Sequence, residues 1–308
     1  MSVPEYLTSP VQGMEAEADM KVISDLTAPL HSKPDPKLQT RQTVPATNPD
    51  GLDPIEASKQ LAAYAAVDQH ILPHHRSGST VPYVVERIVQ QGHETNESRV
   101  NSKSRINLGD VDQFPRLDIT LDGADEVDAD LNAIKGGGAC HLREKVLAEA
   151  ADKFILVADA RKDSALLGTN WRAGVPIEVV PFAWAKVMSN IQLMGCLNPT
   201  LRMGKSKAGP VVTDNGNFVI DAPFDEVYMR DPTELSYRLK MSDFSFPHVD
   251  GRIGSRLFCG MAEEAYFGNL DGIVTIRSKN GNTRKMSVEE GKAKIQSNGH
   301  QPQSSTQA

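Results

Sequence analysis

A strand, a loop, a helix and a second strand follow one another between residues 116 and 158, and this order constrains the fold more than any other feature. In RLDITL apolar and polar residues alternate, as in a half-buried strand, whereas KFILVA is a continuous apolar run. LREKVLAEAAD, which lies between them, is typical of a helix. Such a unit forms two parallel strands joined by a right-handed crossover. Because ligands in parallel sheets gather at the carboxyl ends of the strands, the loops at residues 122–140 and 159–162 are expected to face one cleft.

Two helices are predicted before this unit. DPIEASKQLAAYAAVDQHI begins with an N-cap at Asp53, a proline at the first helical position and Glu56 at the capping-box position. VPYVVERIVQQG follows SGST and has apolar residues three and four positions apart, with Gly92 as its C-cap. Residues 1–52 are rich in proline and show little periodicity, so they are expected to form a disordered extension.

The pattern changes after residue 174, where strands and helices no longer follow a βαβ repeat. PIEVVPF predicts a strand, AWAKVMSNIQLMG a helix, VVTDNGNFVID a hairpin with a type I′ turn at Asn215-Gly216, and DPTELSYRLK a capped helix. We predict a small α+β domain over residues 174–254 and a catalytic α/β domain over residues 53–173 plus about 255–278, to which the strand DGIVTIR returns. The polar residues 279–308 are expected to form a flexible tail.

Charge and composition exclude several classes of protein. The formal charge of −7 argues against a general nucleic-acid binder, which usually presents a basic face. No apolar run approaches the roughly 20 residues that span a bilayer, and the first residues do not resemble a signal or transit peptide. The three cysteines (Cys140, Cys196 and Cys259) are too widely spaced for a disulfide framework or a zinc site. A reduced, soluble, cytoplasmic protein without a membrane partner is therefore expected.

The stretch DGADEVDADLN concentrates carboxylates directly after the first strand of the unit. Asp128, Asp130 and Asn132 have calcium-loop spacing, but alanines stand where such a loop requires its glycine and its bidentate glutamate. A magnesium site built on Asp122 and Asp125 stays open as an alternative. A solvated acidic turn is the other alternative.

The segment KGGGA that follows is typical of an anion-binding site. Its glycines allow backbone N–H groups to approach a ligand, the start of the next helix adds a partial positive charge, and Lys135 adds a full one. Glu144 falls in the first turns of that helix, where the helix dipole favours an ionised carboxylate, although a surface glutamate paired with a lysine fits the same position. An ionised carboxylate beside oxyanion donors is what proton abstraction next to a carbonyl requires. SGST, at residues 77–80, also precedes a helix, where it can bind a phosphate or merely cap the helix.

Taken together, these residues resemble the type A family of ribose-5-phosphate isomerases. The resemblance rests on DGADEVDADLN, IKGGGA, REK, SGST, PIEVVPFAW and GPVVTDNGNF, and it extends from about Lys59 to about Arg277. It implies a Rossmann-like α/β domain with a smaller α+β, ferredoxin-like domain, assembled into a homodimer or homotetramer. It also implies a metal-independent, cofactor-free isomerase of the non-oxidative pentose phosphate pathway, which interconverts D-ribose 5-phosphate and D-ribulose 5-phosphate through an enediol.

The resemblance implies roles for individual residues of this sequence. Glu144 matches the base that moves a proton between C1 and C2 of the sugar. Asp122 and Asp125 match carboxylates that handle hydroxyl protons and assist ring opening. Lys135, with the glycines after it, matches the segment that stabilises the enediolate oxygen. The implied substrate-binding residues are Lys59, Ser77, Gly78, Ser79, Thr80, Gly123, Ala124, Gly136, Gly137, Gly138 and Lys162.

The sequence departs from the family pattern in three segments. ILPHHR stands where members have a strand directly before SGST, a strand and part of a helix are missing between QQGHETNES and INLGDVDQFP, and DFSFPHVDGRIG replaces a strand near residue 245. A sheet without these strands exposes its edges and loses apolar burial. One alternative hypothesis is therefore a catalytically impaired isoform or a sugar-phosphate binder without activity. Another is a different enzyme on a similar scaffold, such as an amino-sugar phosphate isomerase or a coenzyme A transferase.

Overall fold

The computed structural model describes residues 51–72, 75–79, 81–91, 109, 111–138, 141–241 and 252–287, and all of them belong to one compact unit. Several predictions concern residues outside these ranges. They are nearly all of the N-terminal extension, the Gly92 cap, Thr80, and the chain after QQG at residues 93–108, where a strand and part of a helix are expected to be missing. No helix within the described ranges is both long and apolar enough to cross a membrane.

A six-stranded sheet forms the larger part of the described fold. Its strands are β1 (Ser77–Gly78), β2 (Leu117–Asp122), β5 (Ala151–Asp159), β11 (Glu264–Gly268), β12 (Ile273–Ser278) and β13 (Thr283–Ser287), adjacent in that order. The first four pair in parallel and the last two are antiparallel. β2 and β5 are the strands predicted from RLDITL and KFILVA, and their parallel pairing confirms the predicted βαβ unit. The strand predicted from DGIVTIR, β12, lies in the same sheet.

Three helices precede or connect these strands: α1 (Pro54–His70), α2 (Pro82–Gln90) and α3 (His141–Ala150). Asp53 caps α1 as predicted, since its side chain accepts a hydrogen bond from the Ile55 N–H. The alanines of α1 pack with residues of β2, β5 and β11 in one core. α1 approaches β11 so closely that a Cβ on Gly268 would lie 1.8 Å from the Ser58 carbonyl oxygen, and only glycine fits there.

A second, four-stranded sheet is antiparallel, with strand order β7-β8-β6-β9: β6 (Val175–Val179), β7 (Thr200–Leu201), β8 (Phe218–Ala222) and β9 (Arg252–Ser255). The helices α4 (Trp184–Leu193), α5 (Glu226–Met229) and α6 (Pro232–Met241) lie between these strands in sequence. Side chains from β6, α4, β8 and α6 form a separate apolar core. This is the predicted α+β arrangement of the ferredoxin-like type, although the exact domain boundaries stay a prediction.

A small three-stranded sheet joins the two larger parts. It contains β3 (Glu126–Val127), β4 (Ala133–Ile134) and β10 (Leu257–Phe258), with β4 in the middle. Ile134 pairs with Leu257, so the residue after β4 and the residue before β10 are neighbours. This pairing brings Lys135 next to Arg256, whose carbonyl oxygen accepts a 3.1 Å hydrogen bond from the Lys135 N–H.

Some local predictions are wrong. The flexible tail does not begin at residue 279, because residues 283–287 form β13, which pairs with β12 and buries Met286. The hairpin turn at Asn215-Gly216 is not type I′, since Gly216 has a positive φ but Asn215 does not. The Thr213 carbonyl oxygen instead accepts a hydrogen bond from the Gly216 N–H, and the Thr213 N–H donates one to the Asn217 carbonyl oxygen. These two bonds close a three-residue loop.

The expected loss of a strand is also wrong at one of the three segments. Near residue 245 the described chain resumes as β9, which pairs with β6. Before SGST, the Arg76 carbonyl oxygen accepts a 3.0 Å hydrogen bond from the Asp118 N–H, and β1 continues this pairing along β2. β1 therefore lies within SGST, and none of the described residues between α1 and Ser77 belongs to a strand.

Candidate active site

Asp122, Lys135 and Glu144 meet at the carboxyl end of β2, although they belong to three different elements. Asp122 ends β2, Lys135 follows β4, and Glu144 lies in the first turn of α3. The Lys135 Nζ lies 2.8 Å from Asp122 Oδ2 and 3.5 Å from Glu144 Oε2. It also donates a hydrogen bond to the Gly123 carbonyl oxygen. One buried ammonium group therefore contacts two carboxyl groups and a backbone dipole.

Burial controls the protonation of this cluster. The side chain of Glu144 is only 12% exposed. Burial raises the pKa of Glu144 to about 7, nearby Lys135 opposes that shift, and Asp122 adds to it. Burial alone would lower the pKa of Lys135, but Asp122 and Glu144 outweigh it, so that pKa is raised and the ammonium form persists. Desolvation therefore opposes the ionised form of Glu144, and Lys135 is the contact that favours it; the contribution of the helix dipole stays a prediction.

Asp125 organises the glycine segment after Lys135. Its Oδ2 accepts a 2.8 Å hydrogen bond from the Gly137 N–H, and its own N–H donates to the Ile134 carbonyl oxygen at 2.9 Å. A Cβ on Gly137 would lie 2.8 Å from Asp125 Oδ1, so a side chain there would displace the carboxylate. The Gly136 carbonyl oxygen accepts a 2.8 Å hydrogen bond from Arg202 Nη1. The segment is thus held from both sides.

A cavity of about 250 Å³ opens onto these groups. Most of the residues predicted for the reaction line it: Asp122, Gly123, Ala124, Asp125, Lys135, Gly136, Gly137, Gly138 and Glu144. Val81 and Pro82, at the start of α2, close its other side. The structure therefore brings the acidic loop, the glycine segment and α3 together around one space, as their positions after β2 predict.

A second cavity, of about 460 Å³, adjoins the first and shares residues 81–82 and 123–125 with it. Lys59 and Lys162, both predicted to bind substrate, line this second cavity. Lys59 forms a 2.7 Å ion pair with Glu56, and the Lys162 ammonium group lies over the ring of Trp171 at 5.7 Å. The larger cavity is therefore lined by two cationic side chains that do not line the cavity around Glu144.

Ser77, Gly78 and Ser79 do not belong to the linings of these two cavities. Ser77 and Ser79 are buried, and Gly78 and Ser79 line a different, mostly apolar cavity of about 140 Å³. The Ser79 hydroxyl accepts a 3.1 Å hydrogen bond from the Val81 N–H, which supports the start of α2. Thr80 lies outside the described residues. Phosphate binding by this loop stays a prediction.

The acidic residues beyond Asp125 have a structural role in the turn. Asp128 Oδ1 accepts hydrogen bonds from the N–H groups of Asp130 and Asn132, and Asp128 Oδ2 accepts one from the Asn132 side chain. Within the described ranges, no three His, Cys, Asp or Glu side chains are grouped so that they could hold a metal ion. The contacts of Asp128 are those of a turn, as in the acidic-turn alternative, but its side chain is buried and not solvated.

Two contributors to the site escaped the sequence analysis. Glu126 is completely buried, and its carboxylate accepts hydrogen bonds from four successive N–H groups at residues 168–171. It fixes the loop that carries Trp171, against which Lys162 packs. Arg202, which binds the glycine segment, is oriented by Asp221. In the sequence, Glu126 is distinguished only as one carboxylate of the acidic cluster DGADE, and no local pattern indicates a role for Arg202.

Comparison with known proteins adds independent information. The model of the family described as ribose 5-phosphate isomerase A (phosphoriboisomerase A) matches residues 91–272. A protein of Cryptococcus neoformans var. neoformans named ribose-5-phosphate isomerase is 57% identical over 254 residues, covering 75% of this chain and 82% of the relative. A protein of the same name from Mycosarcoma maydis is 55% identical over 250 residues, covering 76% of this chain and 85% of the relative.

Solved structures are similar as well. A D-ribose-5-phosphate isomerase in complex with phospho-erythronic acid has 28% sequence identity and a TM-score of 0.61, covering 76% of this chain and 99% of the other. Ribose 5-phosphate isomerase from Plasmodium falciparum has 26% identity and a TM-score of 0.58, with 76% and 99% covered. The fold described above is therefore shared with these enzymes.

Proposed function

This chain belongs to the ribose 5-phosphate isomerase A family, and we propose that it interconverts D-ribose 5-phosphate and D-ribulose 5-phosphate at the cavity around Glu144. Relatives with 55% and 57% identity support the isomerase activity, and none of these comparisons favours the impaired or non-catalytic alternative. The observation that carries the assignment is the meeting of a buried carboxyl group, a buried ammonium group and a second carboxylate in one small cavity.

Glu144 is the proposed base. Its pKa of about 7 suits a group that must both accept and return a proton near neutral pH. It takes the proton from C2 of the open-chain aldose, and the electron pair of that C–H bond forms the C1–C2 double bond while the carbonyl electrons move to O1. A proton then passes from the O2 hydroxyl to O1, so that the negative charge moves to O2. The same carboxyl group delivers its proton to C1 as the C1–C2 double bond gives way to the C2=O2 carbonyl of the ketose. No oxidant or reductant is consumed.

Lys135 is the proposed stabiliser of the charge that develops on oxygen. Its ammonium group is buried and lies 3.5 Å from Glu144 Oε2, so it can reach an oxygen next to the carbon that loses the proton. The three glycines of the segment line the same cavity, and their backbone can add to this stabilisation, although the Gly137 N–H already donates to Asp125. The ammonium group supplies a positive charge without a metal ion, which supports a metal-independent reaction.

Asp122 and Asp125 are the proposed carriers of hydroxyl protons during ring opening and isomerisation. Both line the cavity, with Asp122 held by Lys135 and Asp125 by the Gly137 N–H. The substrate phosphate is assigned to the adjoining larger cavity, where Lys59 and Lys162 provide positive charge. Ser77, Gly78, Ser79 and Thr80 are proposed to support that end of the ligand through the start of α2.

We also propose a cytoplasmic location and a homodimeric or homotetrameric assembly. Of the described cysteines, Cys196 and Cys259 are free thiols, which suits a reducing compartment. The assembly is what the family resemblance implies, and Phe182, Leu193 and Leu197, which are 90%, 85% and 64% exposed, are candidate contacts for it. Light scattering of the purified protein measures the assembly directly.

The decisive experiment is turnover of ribose 5-phosphate by the purified chain in excess EDTA. We expect activity in EDTA, and Glu144→Gln should lower kcat by about a hundred- to ten-thousand-fold. That variant should still bind phospho-erythronic acid in calorimetry, because the phosphate and hydroxyl contacts remain. Glu149→Gln, an exposed carboxylate on the same helix, is the matched control and should keep wild-type turnover. An unaffected Glu144→Gln would overturn the role of the base, and loss of turnover in EDTA would overturn the metal-free reaction.

A further inference from the structure

We propose that Glu178 is a positioning residue that holds the first turn of α3, and with it Glu144, in place against Lys135. Glu178 lies on β6 in the four-stranded sheet, outside the lining of the catalytic cavity. It is completely buried, although a charged residue in an apolar strand is costly unless its oxygens are bound. The inference rests on the proposed role of Glu144 and identifies what places that side chain.

The contacts of Glu178 connect α3 to the second sheet. Its Oε2 accepts hydrogen bonds from the Leu142 N–H at 3.1 Å and from Arg256 Nη2 at 2.9 Å. Its Oε1 accepts hydrogen bonds from Thr213 Oγ1 at 2.8 Å and from the side chain of Asn217 at 2.9 Å. Leu142 is the second residue of α3, so its N–H is one of those that a helix cannot satisfy internally. A carboxylate from another sheet therefore binds the helix start two residues before Glu144.

Arg256 connects the same network to Lys135. The Arg256 carbonyl oxygen accepts the 3.1 Å hydrogen bond from the Lys135 N–H, while the Arg256 side chain binds Glu178. Lys145, next to Glu144 on α3, donates 2.9 Å hydrogen bonds to the carbonyl oxygens of Ser255 and Leu257. Residues 255–257 are thus attached to Lys135 on one side and to α3 on the other.

The consequence is geometric. The 3.5 Å contact between Glu144 Oε2 and Lys135 Nζ depends on how α3 lies relative to residue 135. Lys145 fixes α3 by a flexible side chain, whereas the Leu142 N–H fixes it by the backbone, and Glu178 is the acceptor for that backbone group. Loss of this acceptor leaves the helix start free to shift. A displacement of about 1 Å is enough to cost a catalytic group about a hundred-fold in rate.

Glu178→Leu, which removes both acceptor oxygens, tests the proposal through the pH dependence of kcat/KM on ribose 5-phosphate. The charged groups that act on Glu144 are Lys135, Asp122 and Asp125. Glu178 and Arg256 form an ion pair with each other at the N-terminus of α3. If Glu178 positions Glu144, its loss weakens the contact with Lys135, so the acidic limb of the profile moves to higher pH and the rate falls by about ten- to a hundred-fold. If Glu178 acted only as a distant negative charge, its removal would move that limb to lower pH.

Two outcomes of this experiment overturn the proposal. One is an acidic limb that moves to lower pH. The other is an unmoved limb with only a lower melting temperature, which is the result of a purely structural role. Ile191→Ala, which opens a cavity in the core of the same sheet, is the control for loss of stability and should leave the limb unmoved.

A second variant keeps the test valid if Glu178→Leu does not fold. Leu142→Pro removes the N–H that donates to Glu178 together with the leucine side chain, and proline is tolerated in the first turn of a helix. Leu142→Ala, which loses the side chain but keeps the N–H, is its matched control. We expect the proline variant to shift the acidic limb to higher pH relative to the alanine variant, and identical profiles would overturn the proposal. Failure of the proposed function differs from both results, because Glu144→Gln would then stay active.

Discussion

Glu144 and Lys135 lie 3.5 Å apart, carboxyl oxygen to ammonium nitrogen, and both side chains are almost fully removed from water. Burial raises the pKa of the carboxyl group to about 7 while the ammonium group opposes that shift. A base must be ionised to accept a proton, so kcat/KM should increase about ten-fold per pH unit on the acid side and level off above about pH 7. Initial rates between pH 5 and 9 at constant ionic strength measure this limb.

The substrate phosphate itself titrates near pH 6, so the limb needs an internal control. Lys135→Met removes the cation that lowers the pKa of Glu144, and its acidic limb should therefore lie at higher pH than that of the wild type. The phosphate is the same for both proteins and cannot produce a difference between them. Coincident limbs would show that the titrating group is not Glu144.

The same pKa predicts a cost in stability. The folded-state pKa of Glu144 is raised from 4.5 to about 7, so the native carboxyl group binds its proton more tightly than the unfolded one does. Its contribution to stability is present below about pH 4.5 and is lost as the pH rises through 7. Glu144→Gln, which cannot ionise, should then unfold with a higher midpoint than the wild type at pH 8. The gain is on the order of a few kcal/mol, since one pKa unit corresponds to about 1.4 kcal/mol.

Urea unfolding of the two proteins at pH 5 and pH 8 measures this difference. The stabilisation by Glu144→Gln should shrink markedly at pH 5, because the Glu144 carboxyl group of the folded wild type then carries a proton in most molecules. Equal midpoints at pH 8 would mean that the carboxylate is better solvated or better paired than the structure indicates. A gain in stability with a loss of activity is expected of a group whose environment serves the reaction rather than the fold.

The glycine segment offers a matched pair of substitutions. A Cβ on Gly137 would lie 2.8 Å from Asp125 Oδ1, whereas a Cβ on Gly138 would have no neighbour within 4 Å. Gly137→Ala should therefore displace Asp125 and lower kcat by about ten-fold or more, and Gly138→Ala should have a distinctly smaller effect. Turnover of ribose 5-phosphate by the two variants gives the comparison. Equal losses would show that the segment acts through its flexibility and not through the position of Asp125.

The parts of the site that lie close together in sequence could be predicted from it. β2, α3 and β5 are adjacent along the chain, and their apolar patterns are unambiguous, so their parallel pairing and the position of Asp122 follow from general rules. Lys135 and Glu144 belong to the same stretch. The connection between β2 and α3 returns both side chains to the strand end that carries Asp122.

The contacts that hold this stretch in place could not be predicted, because they join distant segments. Gly136 and Arg202 are 66 residues apart, and Leu142 and Glu178 are 36 residues apart. No local periodicity records such pairs. The one available signal is Glu178 itself, a charged residue within the apolar run VPIEVV. A carboxylate buried in such a strand is costly unless it has several hydrogen-bond partners, and Glu178 has them. β13 was missed for a similar reason, since TRKMS is mostly polar and becomes a strand only by pairing with β12.

Lys162 tests the assignment of the substrate phosphate to the larger cavity. Its ammonium group lines that cavity and packs over Trp171, away from the Glu144 cluster. Lys162→Ala should raise KM for ribose 5-phosphate by about ten- to a hundred-fold, because a hydrogen bond to a charged group is worth about 1.5–3 kcal/mol, and kcat should change less. Lys186→Ala is the matched control, since Lys186 is exposed on α4 and donates a hydrogen bond to Asn190. Ribose without a phosphate separates the explanations: the effect of Lys162→Ala should vanish with it, and a persisting effect would place Lys162 in contact with the sugar instead.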